Sequence, residues 1–284
     1  MNKSFYIVPT FNKDYLIISV LKGILNCHDK ETNPPIIICI IDGCTDNTKE
    51  LVNNFKNKYE HPDNIHILYL NNVHEITCLN FALEYIEKNL NPNDEDLIFS
   101  IQDDVILEEE NINTKFNRLF NYKKNLGYVS MRLGTKINVH DNQIIEYDFI
   151  ESEFGHWNQL NFSFHKTLKH LQLAFVEIGI RSPTCTLWKR FKEVGFFDIN
   201  LAPYGFDCHD FSIRMNKAEY INAVFALRFK SDVNWGTMRS KNLSEYNNNI
   251  NEIHIKNRTY LANKHKDYFN NKKEFDSSFL NIQF

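Results

Sequence analysis

Short apolar runs alternate with longer amphipathic stretches over the first hundred positions. Phe5-Tyr6-Ile7-Val8 is a β-rich run closed by Pro9. Over residues 13–27, Leu16, Val20, Leu21, Ile24 and Leu25 share one helical face. Ile36 to Ile41 is continuously apolar, as a strand buried on both faces requires. It ends in the turn Asp42-Gly43, and Thr45-Asp46 can cap the next helix, which carries Leu51, Val52 and Phe55. Ile65 to Leu70 predicts a third strand. Residues 76–90 predict a third helix through Leu79, Phe81, Ala82, Leu83 and Ile86. Leu97 to Ile101 predicts a fourth strand that runs into Gln102-Asp103-Asp104. Such alternation implies an α/β fold: right-handed βαβ units and a mostly parallel, Rossmann-like central sheet flanked by helices. Ligands of these sheets bind beyond the carboxyl ends of the strands. Here those ends are Pro9-Thr10, Asp42-Gly43 and Asp103-Asp104.

The pattern loosens after about residue 126. Tyr128 to Ile137 reads as one strand. Residues 138–170 read as irregular, with His140, His156, Trp157, His165 and His170 scattered through them. A helix is expected around 184–193, another over 209–218 and a strand over 221–229. The tail from 241 is polar, with helical patches near 245–262. This gives a domain over 1–240 that divides into halves over 1–125 and 126–240. A helical extension (241–284) follows.

Composition narrows the chemistry. The 284 residues are 43% hydrophobic and 24% charged, enough to bury a full core. The 9 glycines include no G-x-G pair and none followed by Lys. That excludes a Walker A loop and a dinucleotide-binding turn, so any phosphate must be held another way. The net charge of −4 gives no electrostatic case for a nucleic-acid partner. The 6 cysteines form no C-x-x-C pair, which argues against a zinc ribbon. The start is too short an apolar run for a signal segment, and no stretch reaches the ~18 apolar residues of a membrane helix. A cytoplasmic protein with reduced thiols is expected. The Lys- and Phe-containing stretch near 264–275 reads as a solvated helix, with peripheral membrane contact the lesser alternative.

Five carboxylates stand out. Asp103 and Asp104 are adjacent at a strand end, where they repel unless a cation neutralises them. Hard oxygen ligands suit Mg²⁺ or Mn²⁺, with phosphate oxygens completing the shell. Asp42 closes its strand at the same edge and can accept from a base imide N–H. Asp207 and Asp210 lie in a loop-to-helix segment. Arg214, four residues past Asp210, can bridge to it and leave Asp207 the freer general base, with His209 competing. The histidines show no zinc-ligand spacing.

Five segments in order resemble an inverting family-2 glycosyltransferase of A-type (GT-A) fold. They are Ile7-Val8-Pro9-Thr10-Phe11-Asn12, Asp42-Gly43-Cys44-Thr45-Asp46, Leu79-Asn80-Phe81-Ala82-Leu83, Gln102-Asp103-Asp104, and Gly205-Phe206-Asp207-Cys208-His209-Asp210 with Arg214. The resemblance covers about residues 4–232. It implies that Pro9, Thr10, Asn12 and Asp42 line a nucleotide pocket. It also implies that Asp103-Asp104 is the D-x-D equivalent touching ribose and metal, and that Asp207, or else Asp210, is the base. The implied partners are a UDP-, dTDP- or GDP-sugar donor and a glycan, lipid-linked saccharide or protein acceptor. Ile101, Cys208 and Leu79 depart from the family pattern, where an Asp, a second acid and a basic residue are common. These departures motivate a rival reading as a degenerate GT-A domain that binds sugars or partners without catalysis. A nucleotidyltransferase would want a Gly-rich, basic N-terminal loop, and residues 9–23 offer no such loop.

Overall fold

The computed structural model describes residues 2–155, 166–180, 182–203, 205–232, 234–236, 244–272, 275 and 278–282. The first half follows the periodicity. It runs β1 (Ser4–Thr10), α1 (Ile17–Cys27), β2 (Ile36–Asp42), α2 (Thr48–Lys58), β3 (Ile65–Leu70), α3 (His74–Asn89) and β4 (Leu97–Ser100). These four strands lie parallel in the order β4-β1-β2-β3. Successive strand residues face opposite sides of a sheet. Tyr6 and Val8 therefore pack with Val20, Leu21 and Ile24 of α1, while Phe5 and Ile7 pack with Leu79, Leu83 and Ile86 of α3. The result is a sheet with helices on both faces.

The second half continues with β5 (Val105–Leu107), α4 (Ile112–Tyr122), β6 (Leu126–Ser130), β7 (Leu133–His140), β8 (Gln143–Ser152) and β9 (Lys166–Leu168). Then come β10 (Gln172–Val176), β11 (Ile178–Ile180), β12 (Thr184–Leu187), α5 (Trp188–Val194), α6 (Asp207–Lys217), β13 (Ile221–Phe225) and β14 (Phe229–Ser231). The last elements are α7 (Ser244–Lys264), α8 (Lys266–Asn270) and β15 (Phe279–Asn281). The central sheet has nine strands, β15-β10-β13-β6-β12-β4-β1-β2-β3. Only β10 and β12 run against the rest, because each pairs antiparallel with both of its neighbours. A second sheet, β11-β7-β8-β9, and a β14-β5 pair complete the β structure.

Four expectations change. The strand expected over Tyr128–Ile137 is two, because the chain leaves the central sheet after Ser130 and enters the second sheet at Leu133. Residues 138–152 are largely a hairpin. Its two-residue turn, Asp141-Asn142, has φ of +48° and +58°, the left-handed pair that tight hairpins need and that Asp and Asn tolerate. His156, Trp157 and His165 lie outside the described residues. The helix expected around 184–193 begins only at Trp188, since Thr184–Leu187 is a strand held between β4 and β6. The tail is helical over Ser244–Lys264 but folds back on the body. Asn257 is buried and donates to the carbonyls of Leu201 (3.0 Å) and Gly205 (3.1 Å), and β15 joins the sheet edge at β10. No helix among the described residues is long and apolar enough to cross a membrane.

Candidate functional site

Parallel pairing brings the ends of β1, β2 and β4 to one edge. Thr10 lies beside Ile41, and Ile7 beside Ser100. The loops beyond are stitched together. Asn12 Oδ1 accepts from the Thr45 amide at 2.8 Å, and the Asn12 amide donates to Cys44 Sγ at 3.2 Å. Asp46, one residue before the N-cap Asn47, accepts from the amides of Asp14 (3.1 Å) and Thr48 (3.0 Å) and so ties the loop after β1 to the start of α2. Gly43 must be glycine. Its φ is +68°, and a Cβ there would lie 2.9 Å from the Asn72 nitrogen. Thr10 is buried, its hydroxyl donating to the Val8 carbonyl at 3.2 Å, and Pro9 is half-buried.

Asp42 is fully buried. Its two oxygens accept from the amides of Val73 (2.7 Å) and His74 (2.9 Å), where α3 begins. A carboxylate at a helix N-terminus satisfies orphan amides and complements the helix dipole. The residue expected to read a base is thus first an anchor that joins β2 to α3.

The carboxylate pair is divided in its engagements. Asp103 Oδ2 accepts from the Phe11 amide at 2.9 Å, and Oδ1 lies 3.6 Å from the Lys13 ammonium. Asp104 Oδ1 is buried and has no hydrogen-bond partner. An unsatisfied buried carboxylate oxygen is costly unless something neutralises it. Hard oxygen donors of this kind fit Mg²⁺ or Mn²⁺. Among the described residues no cluster of three or more His, Cys, Asp or Glu forms, so most ligands of such an ion would be oxygens of a bound molecule or water.

Asp207 and Asp210 have opposite surroundings. Asp210 is fully buried. Its Oδ2 accepts from Arg214 Nε at 2.7 Å, and its Oδ1 meets Lys264 Nζ (2.5 Å) and His265 Nε2 (2.8 Å). Although burial opposes it, the hydrogen bond from His265 and the Arg214 and Lys264 charges hold its carboxyl well below the usual range. Asp207 opens α6 behind Phe206, which has φ +69°. Asp207 is half-buried, and its side-chain contact is with Cys208 Sγ at 3.7 Å. Burial pushes its carboxyl up from the ordinary value of 3.8. Because α6 leads into β13, which is parallel to β6, the start of α6 lies toward the carboxyl edge that carries the Asp pair. No hydrogen bond connects Asp207 directly with that pair among the described contacts.

Two residues here, Lys13 and Arg132, were not picked out from sequence. Lys13 is buried against Asp103; its only sequence signal is a basic residue in the loop after a strand-ending Pro-Thr. Arg132, just past β6, is buried and donates to the Ser182 carbonyl (2.8 Å) and Ser231 Oγ (3.1 Å). Gln102 donates to Glu75 at 2.9 Å, linking the β4 end to α3. Asn80, part of the third motif, is a structural pin. Its side chain donates to the Phe197 carbonyl (2.8 Å) and accepts from the Phe197 amide (3.0 Å).

No protein-family model matches the chain, and no curated protein sequence matches it. Solved structures do match in fold. TarS from S. aureus superposes with TM-score 0.53 at 14% identity, over 81% of this chain and 37% of that one. A TarS 1-349 structure gives 0.52 at 14% identity, over 96% of this chain and 76% of that one. GalNAc-T7, solved with UDP, GalNAc and Mn²⁺, gives 0.58 at 7% identity, over 81% of this chain and 44% of that one. This chain thus spans less than half of the first TarS chain and of the GalNAc-T7 chain. Its large, mostly parallel central sheet flanked by helices matches the GT-A glycosyltransferase fold.

Proposed function

We infer that this protein is a glycosyltransferase, moving a sugar from a nucleoside-diphosphate sugar to an acceptor hydroxyl with inversion. One observation carries the reading. The same sheet edge presents a carboxylate pair with an unsatisfied oxygen, at Asp104, and a carboxylate kept basic by burial, at Asp207. GalNAc-T7, of like fold, was solved with UDP and Mn²⁺.

Asp104, with Asp103 beside it, would hold the divalent cation. When bound, that ion neutralises charge on the departing diphosphate. The stitched loops at Pro9, Thr10, Asn12 and Asp42 seat the nucleoside. Asp207 takes the acceptor hydroxyl proton. The acceptor oxygen then bonds to the anomeric carbon from the face opposite the diphosphate, the carbon–diphosphate bond breaks, and the nucleoside diphosphate leaves with that electron pair. Asp210 does not take part directly; it is saturated by Arg214, Lys264 and His265.

The test is calorimetric titration of UDP, dTDP and GDP with and without Mn²⁺, followed by turnover of the matching sugar nucleotides. One base should bind in the presence of Mn²⁺, and the product anomer, read by NMR, should be inverted. No binding under either condition removes the reading, and a retained anomer removes the inverting step.

A further inference from the structure

Lys13 is 2% exposed, although lysine is rarely buried without a partner. Its ammonium lies 3.6 Å from Asp103 Oδ1 and also donates to the Trp235 carbonyl. The Tyr15 ring centre is 5.9 Å from that ammonium, and the Tyr15 hydroxyl donates to the same carbonyl at 3.1 Å. The Lys13 amide is held by Thr48 Oγ1 at 2.8 Å, so the residue is fixed at its backbone and at its tip. An ammonium carries three N–H donors; the Trp235 carbonyl takes one, and the 3.6 Å approach to Asp103 is an ion pair, not a hydrogen bond.

Charge gives this position a purpose. The two carboxylates and Lys13 sum to a formal charge of about minus one, and a divalent ion makes that about plus one. A doubly anionic diphosphate needs that sign. Without Lys13 the same ion would leave the cluster neutral. The chain has no glycine-rich loop to supply backbone donors, so a fixed ammonium at this edge fills a role otherwise left to the ion alone.

We propose that Lys13 is a donor-binding residue: a tethered cation that pairs with Asp103 and supplies an N–H to the diphosphate of the bound nucleotide. The proposal rests on the glycosyltransferase reading and adds a residue to its donor site. It also sets a competition. In the nucleotide-free protein the ammonium and a divalent ion both seek Asp103, so Lys13 weakens metal binding until nucleotide arrives.

The experiment compares wild type, Lys13→Met and Lys13→Arg. Mn²⁺ binding is followed by electron paramagnetic resonance, UDP, dTDP and GDP binding with Mn²⁺ by calorimetry, and folding by Tm. Lys13→Met should lose about tenfold or more in nucleoside diphosphate affinity, the scale of a charge-assisted hydrogen bond, and Lys13→Arg should recover most of it. Lys13→Met should at the same time bind Mn²⁺ alone several-fold more tightly, which a merely damaged site would not do. Unchanged nucleotide affinity in Lys13→Met overturns the proposal and leaves the glycosyltransferase reading intact. So does a joint loss of nucleotide and Mn²⁺ binding with a lowered Tm in both variants, which marks Lys13 as a structural strut. A wild type that binds none of UDP, dTDP and GDP overturns both.

Discussion

Arg214 donates through Nε to Asp210 Oδ2 at 2.7 Å, one turn along α6, and the carboxylate it meets has no solvent exposure. Lys264 and His265, from the far end of the chain, close on the other oxygen. The network ties α6 to the C-terminal helices. Removing one member of a buried charge cluster leaves the others unpaired, so Asp210→Asn should cost about 3 kcal/mol. Urea unfolding measures it. A loss under about 0.5 kcal/mol, the range of neutral surface changes, rejects the anchoring role.

The same carboxylate predicts acid sensitivity. Its folded pKa lies below the ordinary 3.8, so its contribution is complete above that value and is lost as pH falls through the depressed one. Wild-type stability should decline in this acid range. Asp210→Asn should flatten the decline, since the asparagine carries no such proton. Tm against pH for the two proteins checks it, and parallel curves speak against it.

Asp207 has the opposite shift. Its pKa is raised by burial, so the base is protonated, and activity lost, as pH falls through a value above 3.8. The acid limb of kcat/KM should reflect that displacement. Asp207→Asn should lower kcat by about 10² to 10⁴-fold with nucleotide affinity nearly unchanged. An active Asp207→Asn enzyme moves the base elsewhere.

The two members of the carboxylate pair should respond differently. Asp104→Asn removes a charge whose buried oxygen has no partner, so Tm should hold or rise while Mn²⁺ affinity falls about tenfold or more. Asp103→Asn weakens the contacts to Phe11 and Lys13, so Tm should fall as well. EDTA should reproduce the loss of nucleotide binding in the wild type. Binding and transfer that survive EDTA unchanged exclude the cation from both.

Asn80→Ala tests a motif residue assigned to structure. It removes both hydrogen bonds to the Phe197 backbone and should cost about 1–2 kcal/mol while leaving Mn²⁺ and nucleotide affinity intact. Selective loss of nucleotide binding at unchanged stability points to a direct contact instead.

Local pattern was enough for β1, β2, β4 and the helices between them. A strand buried on both faces and an amphipathic helix each write their period into consecutive residues. The positions of Asp42 and Asp103-Asp104 followed from where those elements end. What each carboxylate does was decided by residues remote in sequence. Asp42 is claimed by amides 31 and 32 residues on, Asp103 by an amide 92 residues back, and Asp210 by side chains 54 and 55 residues on. The β12 strand, too, exists because β4 and β6 satisfy its backbone, which its own four residues, Thr184 to Leu187, could not specify. The sequence alone determined which residues reach the sheet edge, because that depends on short-range periodicity. Only the tertiary structure decided which carboxylates are neutralised and which remain available for chemistry, because charge is compensated through space.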